Sequence, residues 1–330
     1  MNEVNAEEVA RILTEYDGFR IVSHADPDGD SVGSQLALCS SLRRLGKRAW
    51  AVSDDPVPAI YRFLQGGVEM ESGSAGEDAV VVVVVDSSNP QRVSGLDFPG
   101  VDGVRILNID HHKSNTRFGR WNYVDPEACA CAEQVYRVLG AMGVEPTAEE
   151  AACLYIGILT DTGAFRFPNT SSACFRMAAD LVDRGFSAAD VARRVFWNKT
   201  LESTRLLGSA LSSLDVCHDG QVAVMVVSQD MSRAARATAA DSDGFASYTK
   251  VISGVRVGLL FRQLDGGSVR VSLRSDSGVD VERVARRFGG GGHPTSAGCV
   301  VEGSLESAKA TVLGEVVRLL DRRPGDAASD

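Results

Sequence analysis

The segment His24-Ala25-Asp26-Pro27-Asp28-Gly29-Asp30 packs three carboxylates and an imidazole into seven residues, directly after the apolar run Phe19–Val22. Carboxylates at i and i+2 repel each other, and a folded loop tolerates them when a divalent cation absorbs the charge; His24, four residues before Asp28, adds a nitrogen donor. The competing reading is a solvated turn. Three further acidic clusters occupy similar places: Asp86 after the valine run, Asp110-His111-His112 after 106–109, and Asp161 in GILTDTGAFRF. An isolated aspartate at a strand end commonly caps the next helix. Here the pattern recurs strand after strand, and four of the five histidines lie in motifs, with only His218 outside, which argues for one shared site. An EF-hand is excluded, because alignment on Asp26 puts Ser31 where glycine and Ala37 where glutamate is required. A dinucleotide fold is excluded too: Asp28 and Asp30 stand where bare amides would receive a pyrophosphate.

Elements that place such clusters together must end on one side of a sheet. Apolar runs at 19–23, 48–53, 79–86 and 104–109, with helix-like stretches at 31–45 and 56–65 between them, predict a parallel sheet with crossover helices. The uninterrupted valines at 80–85 read as a central strand buried on both faces. Ligands of such sheets gather outside the carboxyl ends of the strands. Periodic apolar residues predict helices over 131–142, 147–159, 172–185, 187–196 and 200–214. A second unit follows, with strands at 221–228, 254–264 and 268–274, helices at 280–287 and 304–321, and Gly266-Gly267 as a hairpin turn. The expected fold class is α/β: a parallel-sheet domain over 1–196, a helical linker over 197–219, a smaller α/β domain over 220–322, a tail over 323–330, and a catalytic cleft between the domains.

A formal charge of −10 argues against a general binder of long duplex DNA, which needs many Lys and Arg contacts to phosphate. Short anionic substrates remain compatible with it, since a few arginines and bound metals can hold one or two phosphates. Seven cysteines without a C-x-x-C pair read as reduced, mostly buried thiols. The acidic, amphipathic first residues are unlike a signal peptide, and the longest apolar run, 79–85, is too short for a bilayer; the expected location is the cytoplasm, with no membrane partner.

The second unit carries SLRSDSGVDVERVARRFGGGGHPTSAG. Consecutive glycines let amides approach an anion, His293 adds a donor, and Arg274 near a strand end suits a bidentate grip on phosphate. A flexible hinge is the bland alternative. No G-K-[ST] follows, so this is not a Walker A loop, and Arg286 and Arg287 read as solvated positions on a helix.

The ordered set His24/Asp28/Asp30, Asp86, Asp110/His111/His112 and Asp161 resembles the DHH phosphoesterase superfamily, and the glycine-rich segment resembles its associated substrate domain. The likeness spans nearly the whole chain and is closest to the two-domain, NrnA-like group of bifunctional oligoribonucleases and pAp phosphatases. It implies one metal held by His24, Asp28 and Asp86, and a second by Asp30, Asp86, His111 and Asp161, with Asp86 bridging. Two such ions clamp the attacking and leaving oxygens of an in-line displacement. The catalytic set implied is His112 on the phosphoryl oxygens, Asp110 orienting an imidazole, and Asp86. The implied substrate-binding set is Arg274, Ser275, Gly290, Gly291, Gly292 and His293. Oxygen and nitrogen donors suit manganese or magnesium, and the resemblance favours two manganese ions.

The resemblance implies hydrolysis of short RNA to 5′-mononucleotides and of pAp to AMP and phosphate. The nearest rival is a cyclic or linear dinucleotide (c-di-AMP or pApA) phosphodiesterase. A single-strand DNA exonuclease would need a basic, aromatic track that is not evident, and a non-catalytic nucleotide-binding protein would favour degenerate ligands. An edge strand or apolar helix of the first domain is where a homodimer would form. Two departures from the family pattern stand out: Ser296 in place of a usual alanine, and Ala-Cys-Ala-Cys-Ala at 128–132 where relatives often carry Ser or Thr.

Overall fold

The computed structural model describes residues 2–94, 105–276 and 278–321, so the tail expected at 323–330 lies outside the described residues. The chain divides into two compact units, Met1–Asn198 and Lys199–Asp330.

The first unit is built on a sheet of β1 (Asn2–Glu3), β2 (Phe19–Val22), β3 (Ala49–Ala51), β4 (Val81–Val85), β5 (Arg105–Asp110) and β6 (Trp121–Val124). Every pairing is parallel, in the order β1-β6-β5-β4-β2-β3. The valines of β4 serve both faces: Val81, Val83 and Val85 join the large helical core, while Val82 and Val84 pack with Val22, Val93 and Ile106 on the other side. From β2 the chain runs outward to β3, then returns to the other flank of β2 as β4. The boundary between β2 and β4 is therefore the point where strand order reverses, the usual ligand crevice of an open parallel sheet.

The helices of this unit are α1 (Ala6–Glu15), α2 (Gly29–Arg44), α3 (Cys131–Ala141), α4 (Ala148–Asp161), α5 (Ser172–Val182) and α6 (Ala188–Phe196). The stretch expected as a helix at 56–65 is a 3-10 segment, Ala59–Gly66, entered from Pro58. α2 and α4 approach closely because Gly33 has no side chain: a Cβ there would lie 2.2 Å from the Cys153 carbonyl oxygen.

The second unit begins with α7 (Leu201–Ser212), whose Leu206 and Ala210 pack with Met225, Val227 and Phe245. The helix expected in the linker is thus a packed part of this unit. Its strands are β7 (Asp215–Cys217), β8 (Val222–Val227), β9 (Val257–Gln263), β10 (Ser268–Ser275), β11 (Gly291–His293) and β12 (Ser296–Glu302), with helices α8 (Gln229–Ala235), α9 (Glu282–Arg287) and α10 (Leu305–Asp321). The sheet is mixed, in the order β11-β12-β10-β9-β8-β7, with only β8 and β9 parallel. No helix among the described residues is long and apolar enough to cross a membrane.

Candidate metal centre

The loop after β2 is set from below by α2. Buried Gln35 donates to the Ile21 and Val52 carbonyls and accepts from Ser23 Oγ, which fixes the chain just before His24. Asp28 then caps α2: its Oδ1 accepts from the Asp30 and Ser31 amides at 3.1 and 3.0 Å, and Ser31 Oγ accepts from the Asp28 amide. Asp28 therefore caps a helix and also faces His24, 3.9 Å from Nε2. Asp26, left without a role by the sequence reading, sits at φ +57 with its amide donating to Asp55.

Asp30 is buried and held by another helix. Its Oδ2 accepts from the Cys131 amide at 2.6 Å and its Oδ1 from the Ala132 amide at 2.9 Å and Ser34 Oγ at 3.2 Å. Ala130, at the N-cap of α3, has no side-chain cap, so Asp30 performs that service from a distance. The departure at 128–132 thus leaves α3 an N-terminus that the Asp30 carboxylate fills.

Asp86 follows β4 and lies between imidazoles: Oδ2 is 3.4 Å from His24 Nε2, while Oδ1 is 3.6 Å from His111 Nε2 and 3.7 Å from His112 Nδ1. His111 Nδ1 lies 3.3 Å from the Ala128 carbonyl, which orients the ring so that Nε2 meets Asp30, Asp86 and Asp161 at 3.9, 3.6 and 3.5 Å. These last separations exceed good hydrogen bonds. Asp161 ends α4, where a carboxylate opposes the helix dipole. At the end of β5, Asp110 Oδ1 accepts from His112 Nδ1 at 2.7 Å, and Asp110 Oδ2 from Asn115 at 2.5 Å.

Electrostatics mark the cluster as short of positive charge. Burial works against charge on His24, but the hydrogen bond it donates to Asp86 and the charges of Asp28 and Asp86 lift its pKa to about 10. Burial likewise opposes charge on His111, which Asp161, Asp86 and Asp30 raise to about 10. Burial and the charges of Asp86 and Asp161 push Asp30 well above the carboxylate range. Burial outweighs the charge of His111 to put Asp161 at about 6. Burial would raise Asp86 as well, but His24, His112 and His111 hold it well below the ordinary range.

The donor atoms of His24, Asp28 and Asp86, and those of Asp30, Asp86 and His111, lie within 4.8 Å of one another. The residues fit a pair of divalent cations: oxygen and imidazole donors, no thiolate, and one carboxylate common to both groups. Cys131, whose amide holds Asp30, donates its S–H to the Ile109 carbonyl. Sequence reasoning missed Asn108, Asn115, Ser34 and Asn169, whose Nδ2 donates to the Cys129 and Asp161 carbonyls. An asparagine inside the apolar strand RILNID is the one signal that pointed to this layer.

In the second unit the glycine run is built into the end of α9 and the edge of the sheet. The Gly289 and Gly290 amides close α9 by donating to Arg286 and Ala285, and Gly291 and Gly292 form β11 against β12. Gly290 is required for that approach, since a Cβ would lie 2.1 Å from the Gly298 carbonyl oxygen. Ser275, expected at the substrate, donates its hydroxyl to the Val279 carbonyl at 2.5 Å. Arg274 donates to the Leu273 carbonyl and has no carboxylate partner among the described residues; burial pulls its pKa down. Arg274 stands opposite Ser296, and Ser296 opposite His293, so the three share one face of the sheet. Arg286 and Arg287 pair with Glu282 and Glu315, and His218 with Asp321.

Fold and donor set together define a class, a metal-dependent phosphoesterase of two α/β units. Residues 19–158 match the DHH family N-terminal domain and residues 219–320 the DHHA1 domain. The chain belongs to the DHH family. It is 36% identical over 319 residues to the bifunctional oligoribonuclease and PAP phosphatase NrnA of Thermus thermophilus, covering 95% of this chain and 94% of that protein. It is 28% identical to the Bacillus subtilis protein of the same name, covering 89% and 92%. The solved structure of an exopolyphosphatase-related protein from Bacteroides fragilis is 25% identical, with a TM-score of 0.87 and 95% of each chain covered.

Proposed function

We propose that this chain is a manganese-dependent, two-metal phosphoesterase that hydrolyses short oligoribonucleotides to 5′-mononucleotides and pAp to AMP and phosphate. The observation that carries the reading is Asp86, whose two oxygens face different histidines, Oδ2 toward His24 and Oδ1 toward His111. His24, Asp28 and Asp86 hold one ion; Asp30, Asp86, His111 and Asp161 hold the other. When bound, the ions supply Lewis acidity and a water of lowered pKa. His112 is fixed through Nδ1 on Asp110, so its opposite edge, Nε2, donates to a phosphoryl oxygen and offsets charge developing there. In the second unit, Arg274 is a cation with no carboxylate partner among the described residues, and a substrate phosphate supplies the counter-charge, with His293 and Ser296 beside it. The names carried by the Thermus and Bacillus relatives support this choice of substrates.

The test is one assay with manganese, magnesium or chelator on pAp, pApA, c-di-AMP, RNA of two to five residues, long single-stranded DNA and pyrophosphate, with products identified. Turnover of pAp to AMP and of short RNA to 5′-mononucleotides, strongest in manganese, is expected. Preference for c-di-AMP or long DNA, or hydrolysis undiminished by chelator, would replace the proposal.

A further inference from the structure

Asn115 lies in the loop after the Asp110-His111-His112 triplet, and its amide has only one consistent orientation. Oδ1 accepts from the Arg117 amide at 2.6 Å, so Nδ2 is the donor. Nδ2 reaches Asp110 Oδ2 at 2.5 Å, Asn108 Oδ1 at 2.8 Å and the Ser87 carbonyl at 3.3 Å. Asn108 in turn donates to the Val84 and Ser87 carbonyls, each at 3.2 Å. Asn115, Asn108, Asp110, Ser87 and Val84 are buried, and Ser87 directly follows Asp86. One side-chain amide thereby ties the end of β4, strand β5 and the loop beyond β5 into a single unit.

Asp110 has two possible uses in this setting. Asp86, Asp110 and His112 offer donor atoms within 4.8 Å of one another, close enough to draw an ion. Yet both Asp110 oxygens are engaged, Oδ1 by His112 Nδ1 at 2.7 Å and Oδ2 by Asn115. We infer that Asn115 is a positioning residue: by engaging Asp110 Oδ2 it keeps that carboxylate turned to His112 and out of the ion coordination, and so aims His112 at the phosphoryl group. In this role Asn115 acts through Asp110. The inference rests on the two-metal hydrolase reading above.

The experiment measures kcat, KM, bound manganese and melting temperature on the full chain with pAp, for wild type, Asn115→Ala, Asn115→Asp, His112→Ala and the Asn115→Ala/His112→Ala double variant. Asn115→Ala should lower kcat by about 10–100-fold, the range for lost outer-shell partners, while KM and bound manganese hold. In the His112→Ala background the same change should cost less than about twofold, because the group it positions is gone. Asn115→Asp keeps the shape and the acceptor for the Arg117 amide but loses the donor, and should fall in kcat like Asn115→Ala. An equal loss in both backgrounds, wild-type kcat in Asn115→Asp, or loss of manganese in both Asn115 variants would overturn the positioning role. Wild-type protein that binds manganese but leaves pAp and short RNA intact would overturn the hydrolase reading itself, and this inference with it.

Discussion

Asp86 holds a left-handed backbone, φ +53, that costs a residue with a side chain about 1–2 kcal/mol relative to the ordinary helical region. That strain sits at the residue whose carboxylate faces two histidines, where stored strain is expected to serve function. Asp86→Ala should abolish hydrolysis of every substrate, because neither ion keeps its shared ligand; near-normal turnover in manganese would sink the bridging assignment. The acids and imidazoles of the centre were legible as letters because few other uses bring such side chains to successive strand ends. Their partners were not. The Ala128 carbonyl and the Cys131 and Ala132 amides belong to the main chain and leave no mark in a sequence, and Asn115 looks like any loop asparagine.

At the scale of elements, β2, β4 and β5 were readable from apolar runs, while β1 is only two residues long and β6, WNYV, is interrupted by an asparagine. β11 was hidden for a different reason: its glycines carry no apolar or β-branched signal, and their pairing needs missing side chains. The contact of α2, α3 and α4 has the same character. A Cβ on Gly157 would lie 2.5 Å from Asp30 Oδ1 and 2.6 Å from Ala132 Cβ. Gly157→Ala should therefore cost about 1–3 kcal/mol of stability through overpacking and displace Asp30 from the α3 amides. Chemical denaturation with manganese titration checks this; unchanged stability and stoichiometry would mean the helices have slack.

For the whole molecule, the carboxylates of the centre are a concentrated share of the chain's formal −10, and they raise the proton affinity of the histidines among them. His24 and His111, each raised to about 10, are protonated near neutrality, yet imidazole binds a metal only when neutral. Loading at pH 7 should thus release about two protons from these rings, and affinity should weaken as pH falls, further below about 6 where Asp161 takes a proton. Manganese calorimetry in buffers of different ionisation enthalpy reads the release directly; loading with no proton released would contradict the assignment of His24 and His111 as ligands. Asp28 offers a practical handle on the same centre. Asparagine caps helices as well as aspartate does, so Asp28→Asn should spare α2 while removing one anionic ligand. A folded, catalytically crippled protein of that kind is a substrate trap, suited to capturing a nucleotide intact for crystallography, which a variant that unravels the helix could never provide.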